Sequence, residues 1–190
     1  LEHTPVSQLK ITADQITAVQ TRDGEWIEAD QFVFSTGAWS GQWSQQLKID
    51  IPVHPVQGQM VLFKTPEHWL PTMCMNQVMY LIPRQDGHIV CGSSMREVGF
   101  NTTPAAEIRQ KILNACFEMV PELAEFPIVQ EWAGLRPGSP QGIPYIGQLP
   151  QLKNGWANFG HFRNGLCMAP ASALLLRQLI FGQSTLVDAQ

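Results

Sequence analysis

The sequence lacks the charge balance that nucleic acid requires and the apolar run that a membrane span requires. Its 190 residues carry 12 basic and 16 acidic side chains, a net charge of −4, so no broad positive surface is expected to face a phosphate backbone. No apolar run approaches the roughly 18 residues of a membrane span, and the N-terminus lacks the pattern of a signal peptide. We therefore expect a cytoplasmic protein that binds no nucleic acid and spans no membrane; homo-oligomer formation is left open.

Cysteine and histidine are few and are badly spaced for metal chemistry. The four cysteines include no CxxC pair, and the five histidines include neither HxH nor HExxH, so no metal site is predicted. The cysteines stand beside apolar residues and are expected to be reduced, buried thiols, although four scattered cysteines could in principle pair. They are Cys74, Cys91, Cys116 and Cys167.

Two common catalytic signatures are also missing. No two glycines stand two residues apart, which excludes GxGxxG, and no GxxxxG stretch continues into Lys-Ser/Thr, so the chain has no phosphate loop of its own. No serine lies in GxSxG, so nucleophilic hydrolysis has no support.

Short β-branched and aromatic runs are present and dominate the N-terminal part. The run Phe32 to Phe34 does not alternate in polarity, which predicts a strand covered on both faces. Ser35, Thr36 and Gly37 follow it and precede a helix-like segment. Such a turn lets backbone approach a ligand and exposes helix N–H groups to an anion; an ordinary tight connection is the alternative.

The remaining sequence predicts one hairpin and two long helices. Asp86-Gly87 separates two strand-like runs. Thr103 as N-cap and Pro104 at the first helical position predict an amphipathic helix. An apolar segment that ends at Gly182 predicts a final, buried helix. We expect one mixed β/α unit with a second small fragment beside it.

Two arginines stand among glycines and apolar residues. Arg136 lies in "GLRPG" at a strand end, where its planar fork suits a carboxylate; an arginine bonded to neighbouring carbonyls or exposed at a loop tip is the alternative. Arg163 stands two residues before Gly165, which begins the last helix, so its charge and the positive helix end are expected to face one anionic ligand. Tyr80 could donate its hydroxyl to that ligand or be an ordinary core residue.

Taken in order, these motifs resemble the C-terminal half of the D-amino-acid oxidase superfamily of FAD-dependent amine oxidases, and within it the glycine oxidases of thiamine biosynthesis. The segments that carry the resemblance are "EHTPV", "FVFSTGAWSG", "PVQGQ", "MYLIPRQDGHIVCGSSM", "WAGLRPGSPQGIPYIG" and "GHFRNGLCMAPA". It extends from Glu2 to about Phe181.

The resemblance implies an α+β fold in which a mixed antiparallel sheet domain for the substrate accompanies part of a FAD-binding β/α domain, without the N-terminal dinucleotide fingerprint. Residues 1–50 would be a remnant of the FAD-binding domain, 51–132 the β-rich substrate-binding domain with one amphipathic helix, and 133–190 the return to the FAD-binding domain with its C-terminal helix. The chain, which starts without Met, is then expected to be a fragment that is inactive alone and need not retain FAD.

The resemblance also implies site residues. The substrate carboxylate would meet Tyr80 and Arg136, with Arg163 at the edge between substrate and flavin. FAD would be held by Val6, Ser35, Thr36, Gly37, His161, Phe162, Arg163, Asn164, Gly165, Leu166 and Cys167. No cysteine occurs between Pro137 and Pro150, where covalent relatives attach the flavin, so FAD is expected to be noncovalent.

The implied reaction is oxidative deamination of glycine or another small amino acid to an imine or 2-oxo acid, ammonia and hydrogen peroxide. Departures from the D-amino-acid oxidases proper favour glycine oxidase: the last motif reads "GHFRNG", and 74–78 contains no tyrosine. Three alternatives stay open: a flavin-independent module that binds carboxylates, a flavin dehydrogenase that passes electrons to a carrier, and a D-amino-acid oxidase.

Overall fold

A computed structural model describes residues 1–188 and assigns them strands, α-helices and 3₁₀ helices. The strands are β1 (Val6–Thr12), β2 (Gln15–Thr21), β3 (Trp26–Glu28), β4 (Phe32–Phe34), β5 (His54–Lys64), β6 (Cys74–Met75), β7 (Tyr80–Pro83), β8 (His88–Gly92), β9 (Ile128–Gly138), β10 (Tyr145–Gln148) and β11 (Gly155–Phe159). The α-helices are α1 (Ser44–Leu47), α2 (Ala106–Met119) and α3 (Gly165–Ile180), and 3₁₀ turns occupy Gly37–Trp43 and Pro121–Glu125. The expected combination of helices with mostly antiparallel sheets is confirmed.

The chain forms two compact units. The first, here called the split unit, joins Leu1–His54 to the part of the chain from Pro137 onward. The second, the inserted unit, is Pro55–Arg136. Each unit has its own cluster of buried apolar side chains.

The split unit contains two three-stranded sheets. In one, β1, β2 and β3 form an antiparallel meander. In the other, β11 pairs with β10 antiparallel and with β4 parallel. The side chain of buried Asn154, just before β11, accepts from the Ile16 N–H at 2.9 Å and donates to the Ile16 carbonyl at 2.8 Å. That pair of bonds fastens β2 of the first sheet to the segment that leads into the second.

The expectation that Phe32 to Phe34 is covered on both faces is wrong for this chain. Phe32 and Phe34 are buried, but Val33 between them is 46% exposed. The reason is that β4 lies at the edge of its sheet and packs only one face on the apolar cluster of the split unit.

The inserted unit contains a five-stranded sheet in the order β6-β7-β8-β5-β9. The predicted hairpin is confirmed: β7 and β8 pair antiparallel, and Gly87 at the turn has φ +77°, a left-handed conformation that glycine adopts without steric cost. One face of the sheet packs against α2. The side chains that meet there include Val61, Phe63, Leu81, Cys91, Ile112 and Cys116.

Helix α2 begins later than the sequence predicts. Its N-cap position is Ala105, without a side-chain cap, not Thr103. The Asn101 side chain accepts the Thr103 N–H at 2.8 Å, and Gln59 accepts the Ala105 N–H at 2.9 Å. These bonds occupy the backbone donors before the helix and hold that segment outside it.

Two expectations of burial are wrong in the described chain. Helix α3 buries only Ser172 and Leu176, while Leu166 in its first turn is 92% exposed, because α3 packs one side against β10 and β11. Of the four free cysteines, Cys167 on α3 is exposed and Cys74 only partly buried. Among residues 1–188, no helix is both long and apolar enough to cross a membrane.

Candidate functional site

The guanidinium of Arg136, near the end of β9, is held within the inserted unit by the segment that follows β8. Its Nη2 donates to the Ser93 hydroxyl at 2.6 Å, and its Nη1 donates to the Ser94 carbonyl at 3.1 Å. Arg136 is partly buried. The alternative that Arg136 is bonded to neighbouring carbonyls is thus met in part, by the Ser94 carbonyl, and the two hydrogen bonds fix the position of the charge.

Gly58 in β5 forms the floor beneath that guanidinium. A Cβ built on Gly58 would overlap Cζ and both Nη atoms of Arg136. The guanidinium therefore occupies the volume that any other side chain at position 58 would need. Glycine in a strand interior often marks such a close approach.

Tyr80 lies on the same face of the sheet as this guanidinium. Tyr80 faces Gly92 across β7 and β8, and Gly92 faces Met60 across β8 and β5. Opposed residues project to one side of a sheet, and so do residues two apart in a strand, as Met60 and Gly58 are. The Tyr80 hydroxyl donates to the Met60 sulfur at 3.6 Å. Tyr80 and Arg136 thus share the face opposite α2.

Two buried glutamines fix β5 from the α2 side. Gln57 donates to the carbonyl of Asn101 at 2.8 Å. Gln59 donates to the Ala105 carbonyl at 3.1 Å and to the Glu131 carboxylate at 2.6 Å. Both glutamines are fully buried, so leaving the polar groups of their side chains unpaired would be costly.

In the split unit, the two segments predicted to meet the flavin lie at one edge of a sheet. β4 and β11 are parallel, with Phe34 opposite Ala157. Ser35 to Gly37 follow the carboxyl end of β4, and the loop from Gly160 to Asn164 follows the carboxyl end of β11. Ligands of open α/β sheets bind outside the carboxyl ends of parallel strands.

The turn after β4 is closed on one side and open on the other. Thr36 Oγ1 and the buried Ser40 hydroxyl lie 2.9 Å apart, and Ser40 donates to the Gly37 carbonyl at 2.8 Å. Gly37 has φ +56°, and a Cβ placed there would meet nothing within 4 Å. The backbone of Gly37 therefore faces open space.

The loop after β11 is held by contacts with β9 and α3. Phe162 has φ +49°, and its N–H donates to the Pro137 carbonyl at 3.0 Å. His161 Nε2 lies 3.0 Å from the hydroxyl of buried Ser172. Burial lowers the pKa of His161 from its ordinary value, which favours the neutral form of the imidazole.

Helix α3 presents an uncapped N-terminus. Asn164 occupies the N-cap position without a side-chain bond, and the Met168 N–H makes a helical bond to the Asn164 carbonyl at 2.9 Å. The N–H groups of Gly165, Leu166 and Cys167 precede it and have no acceptor within the helix. Leu166 and Cys167 are exposed, as are Arg163 and Asn164. This end of α3 suits an electron-rich ligand.

Not every predicted residue is gathered at these two places. Val6 begins β1 in the meander, and strand pairing does not bring it to the β4 and β11 edge. Arg163 belongs to the split unit, whereas Arg136 and Tyr80 belong to the inserted unit. Within residues 1–188, no group of three His, Cys, Asp or Glu side chains is arranged to hold a metal ion.

A cavity of about 350 Å³ in the split unit lies beside other residues. It is lined by 49–52, 145–150, Ala157 and Phe159, none of them a predicted site residue. The one charged side chain in its lining is Asp50. An apolar cavity with a carboxylate at its wall is poorly suited to an anionic ligand.

The open Gly37 backbone and the uncapped α3 fit a cofactor that needs close backbone approach and N–H donors, as FAD does. Family comparison agrees with this assignment. The chain belongs to the family of FAD dependent oxidoreductases (DAO), whose pattern matches residues 1–179, and it is therefore part of an enzyme family.

Individual relatives refine the family. The chain is 44% identical to a glycine oxidase of Pseudomonas putida over 187 residues, 98% of this chain and 51% of that protein. It is 33% identical to the bifunctional protein ThiO/ThiG of Trichormus variabilis over 178 residues, 90% of this chain and 26% of that protein. The crystal structure of glycine oxidase from Geobacillus kaustophilus matches with TM-score 0.92 at 25% identity, over 99% of this chain and 50% of that one. The chain spans about half the length of the glycine oxidases it matches.

The sequence predicts Arg136 and Tyr80 as site residues but does not reveal the groups that hold Arg136. Gly58, Ser93 and Ser94 come from β5 and from the segment after β8, far from Arg136 in sequence. The glycine between two glutamines in the strand-like "PVQGQ" was the available signal, because an interior strand glycine needs a packing reason.

Proposed function

We propose that the whole protein is a FAD-dependent oxidase of glycine or another small amino acid. The substrate amine would become an imine, which water hydrolyses to a 2-oxo acid and ammonia, while oxygen becomes hydrogen peroxide. The observation that carries the proposal is the held guanidinium of Arg136 on the same sheet face as Tyr80. The similarity to glycine oxidases supports the choice of substrate.

In this proposal Arg136 and Tyr80 bind the substrate carboxylate. The guanidinium carries permanent charge and offers N–H donors in one plane, and the Tyr80 hydroxyl can exchange its weak bond to the Met60 sulfur for a carboxylate oxygen. A carboxylate held at two points leaves the amine and the α-carbon in one orientation. That orientation is the chain's contribution to rate.

The split unit would hold noncovalent FAD. The groups proposed to contact it are Val6, the turn of Ser35, Thr36 and Gly37, and the loop and helix start from His161 to Cys167. Bound FAD supplies the acceptor for the hydride from the substrate α-carbon and the route for electrons to oxygen. The N–H groups of the first turn of α3 would stabilise negative charge beside them.

We also propose a cytoplasmic role in making the thiazole of thiamine. The resemblance to thiamine-biosynthesis enzymes implies that role, and the similarity to the bifunctional protein ThiO/ThiG supports it. The activity is proposed for the whole protein, and the residues named here are this chain's share of it.

The test is oxygen-free addition of glycine to the flavin-loaded whole protein, followed by oxygen. We expect the flavin absorbance to bleach and then to return with one hydrogen peroxide for each glycine oxidised. Bleaching without peroxide on reoxidation would favour a dehydrogenase that uses a carrier. Carboxylate binding that is independent of flavin, with no bleaching, would favour a binding module and refute the proposal.

A further inference from the structure

Gly58, which forms the floor beneath Arg136, is a glycine that the sheet itself does not require. Gly58 lies inside β5 and is buried, where glycine is less favourable than other residues. Its φ lies outside the left-handed range, so backbone conformation does not explain it. The volume does: Cζ, Nη1 and Nη2 of Arg136 all lie where a Cβ would be.

The position of the guanidinium within its plane is set by the segment after β8. The Ser93 hydroxyl meets Nη2, and the Ser94 carbonyl meets Nη1. Two acceptors on different nitrogens fix rotation, while Gly58 fixes the height above the sheet. The Ser94 hydroxyl in turn accepts the Gln59 N–H at 2.9 Å, which ties the segment to β5 beside Gly58.

The strand cannot easily move away from an added methyl group. Gln57 and Gln59 flank Gly58, and their buried side chains are anchored on the α2 side by hydrogen bonds. The backbone of Gln57 also exchanges bonds with Arg96, at 2.8 and 3.0 Å. A Cβ at position 58 would therefore displace the flexible end of Arg136 rather than the anchored strand.

We infer that Gly58 and Ser93 are positioning residues that set where the charge of Arg136 meets the substrate carboxylate. This inference rests on the proposed function for its effect on substrate and on the geometry alone for the position of the guanidinium. It predicts that a side chain as small as one methyl group at position 58 impairs recognition of the carboxylate while the sheet remains folded.

The experiment compares Gly58→Ala with Gly134→Ala in the flavin-loaded whole protein. Gly134 lies in β9, two residues before Arg136, and a Cβ there would meet nothing within 4 Å, so it controls for the loss of a strand glycine. We expect Gly58→Ala to raise KM for glycine by about 10- to 100-fold, the range of a lost hydrogen bond to a charged group, with a smaller change in kcat. An unchanged KM in folded Gly58→Ala would overturn the inference.

Ser93 is tested by paired substitutions. Ser93→Ala removes the acceptor and is expected to raise KM for glycine. Ser93→Thr keeps a hydroxyl, and its KM is expected to stay close to that of the unaltered protein. Equal KM values for Ser93→Ala and the unaltered protein would remove Ser93 from this role.

A chemical probe separates this inference from the proposed function. Phenylglyoxal reacts with arginine side chains, and peptide mass spectrometry gives the rate at Arg136. We expect faster modification in Gly58→Ala and Ser93→Ala than in Gly134→Ala, because a displaced guanidinium loses its fixed contacts. If glycine fails to reduce the flavin of the unaltered protein, the proposed function fails, while this rate difference still supports the positioning of the Arg136 guanidinium by Gly58 and Ser93. Equal rates at Arg136 in all variants would overturn it.

Discussion

The inserted unit and the split unit prepare their candidate binding groups in opposite ways. Arg136 in the inserted unit is held by a hydroxyl, a carbonyl and a glycine floor. The first turn of α3 in the split unit has no side-chain cap, and Leu166 there is 92% exposed. A permanent charge on a flexible side chain must be positioned by its surroundings before it can select a ligand. Backbone N–H groups are already positioned by the helix itself.

The largest effect is expected on removing Arg136, the held charge of the inserted unit. Arg136→Ala in the flavin-loaded protein should raise KM for glycine by about 30- to several-thousand-fold, the equivalent of about 2–5 kcal/mol of lost charged contact. Steady-state peroxide formation measures it. Arg84→Ala, at an exposed position after β7, is the matched control and should leave KM unchanged. A normal KM in Arg136→Ala would remove this residue from the carboxylate site.

The next largest effect is expected at the first turn of α3 in the split unit. Leu166→Pro removes one first-turn N–H without costing a helical hydrogen bond, since proline is tolerated in the first turn. We expect flavin affinity to fall by about tenfold, the equivalent of about 1.5 kcal/mol, in a fluorescence titration. Leu166→Ala keeps the N–H and should bind flavin normally. Equal affinity in both variants would mean that this donor does not contact flavin.

A smaller effect is expected for Tyr80, the second proposed contact of the substrate carboxylate. Tyr80→Phe removes a hydroxyl that is bonded only weakly, to a sulfur at 3.6 Å, so the sheet should stay intact. We expect KM for glycine to rise about 2- to 12-fold, the range of a net hydrogen bond of about 0.5–1.5 kcal/mol. Tyr145→Phe, at the other tyrosine of the chain, is the control. A KM that rises equally in both variants would contradict a role in carboxylate binding.

The smallest effect concerns the loop of the split unit. His161 has a pKa below 6.5 because burial disfavours its charged form. In the pH range between the folded pKa and about 6.5, the unfolded chain binds more protons, so the free energy of unfolding should decrease as pH falls through that range. Denaturant titrations at pH 7.5 and 5.5 measure the loss, which His161→Gln should reduce. An identical pH dependence in His161→Gln would show that the histidine does not contribute.

The parts of the fold that depend on local sequence were predictable. The hairpin at Asp86-Gly87 formed as expected because turn chemistry and two strand-like runs agree over a short segment. The start of α2 was wrong because Gln59, 46 residues away, holds Ala105. Propensity at Thr103 and Pro104 contains no information about that contact.

For the candidate site, the sequence predicts individual residues but not their arrangement. Arg136 and Tyr80 stand in recognisable motifs, but their common sheet face follows from the register of β5, β7 and β8, which the sequence does not state. The prediction that α3 is buried was also wrong. An apolar composition shows how much surface a helix could bury, not how much of it is covered. Exposed Leu166 illustrates the difference.

Recognition of the substrate through its carboxylate is tested most directly with two amines, each added without oxygen as a reductant of the flavin-loaded whole protein. Glycine carries the carboxylate that Arg136 is proposed to bind, and methylamine is the same amine without it. We predict that glycine bleaches the flavin absorbance while methylamine at the same concentration leaves it unchanged. Equal bleaching by both amines, or none by glycine, would contradict recognition of the substrate through its carboxylate.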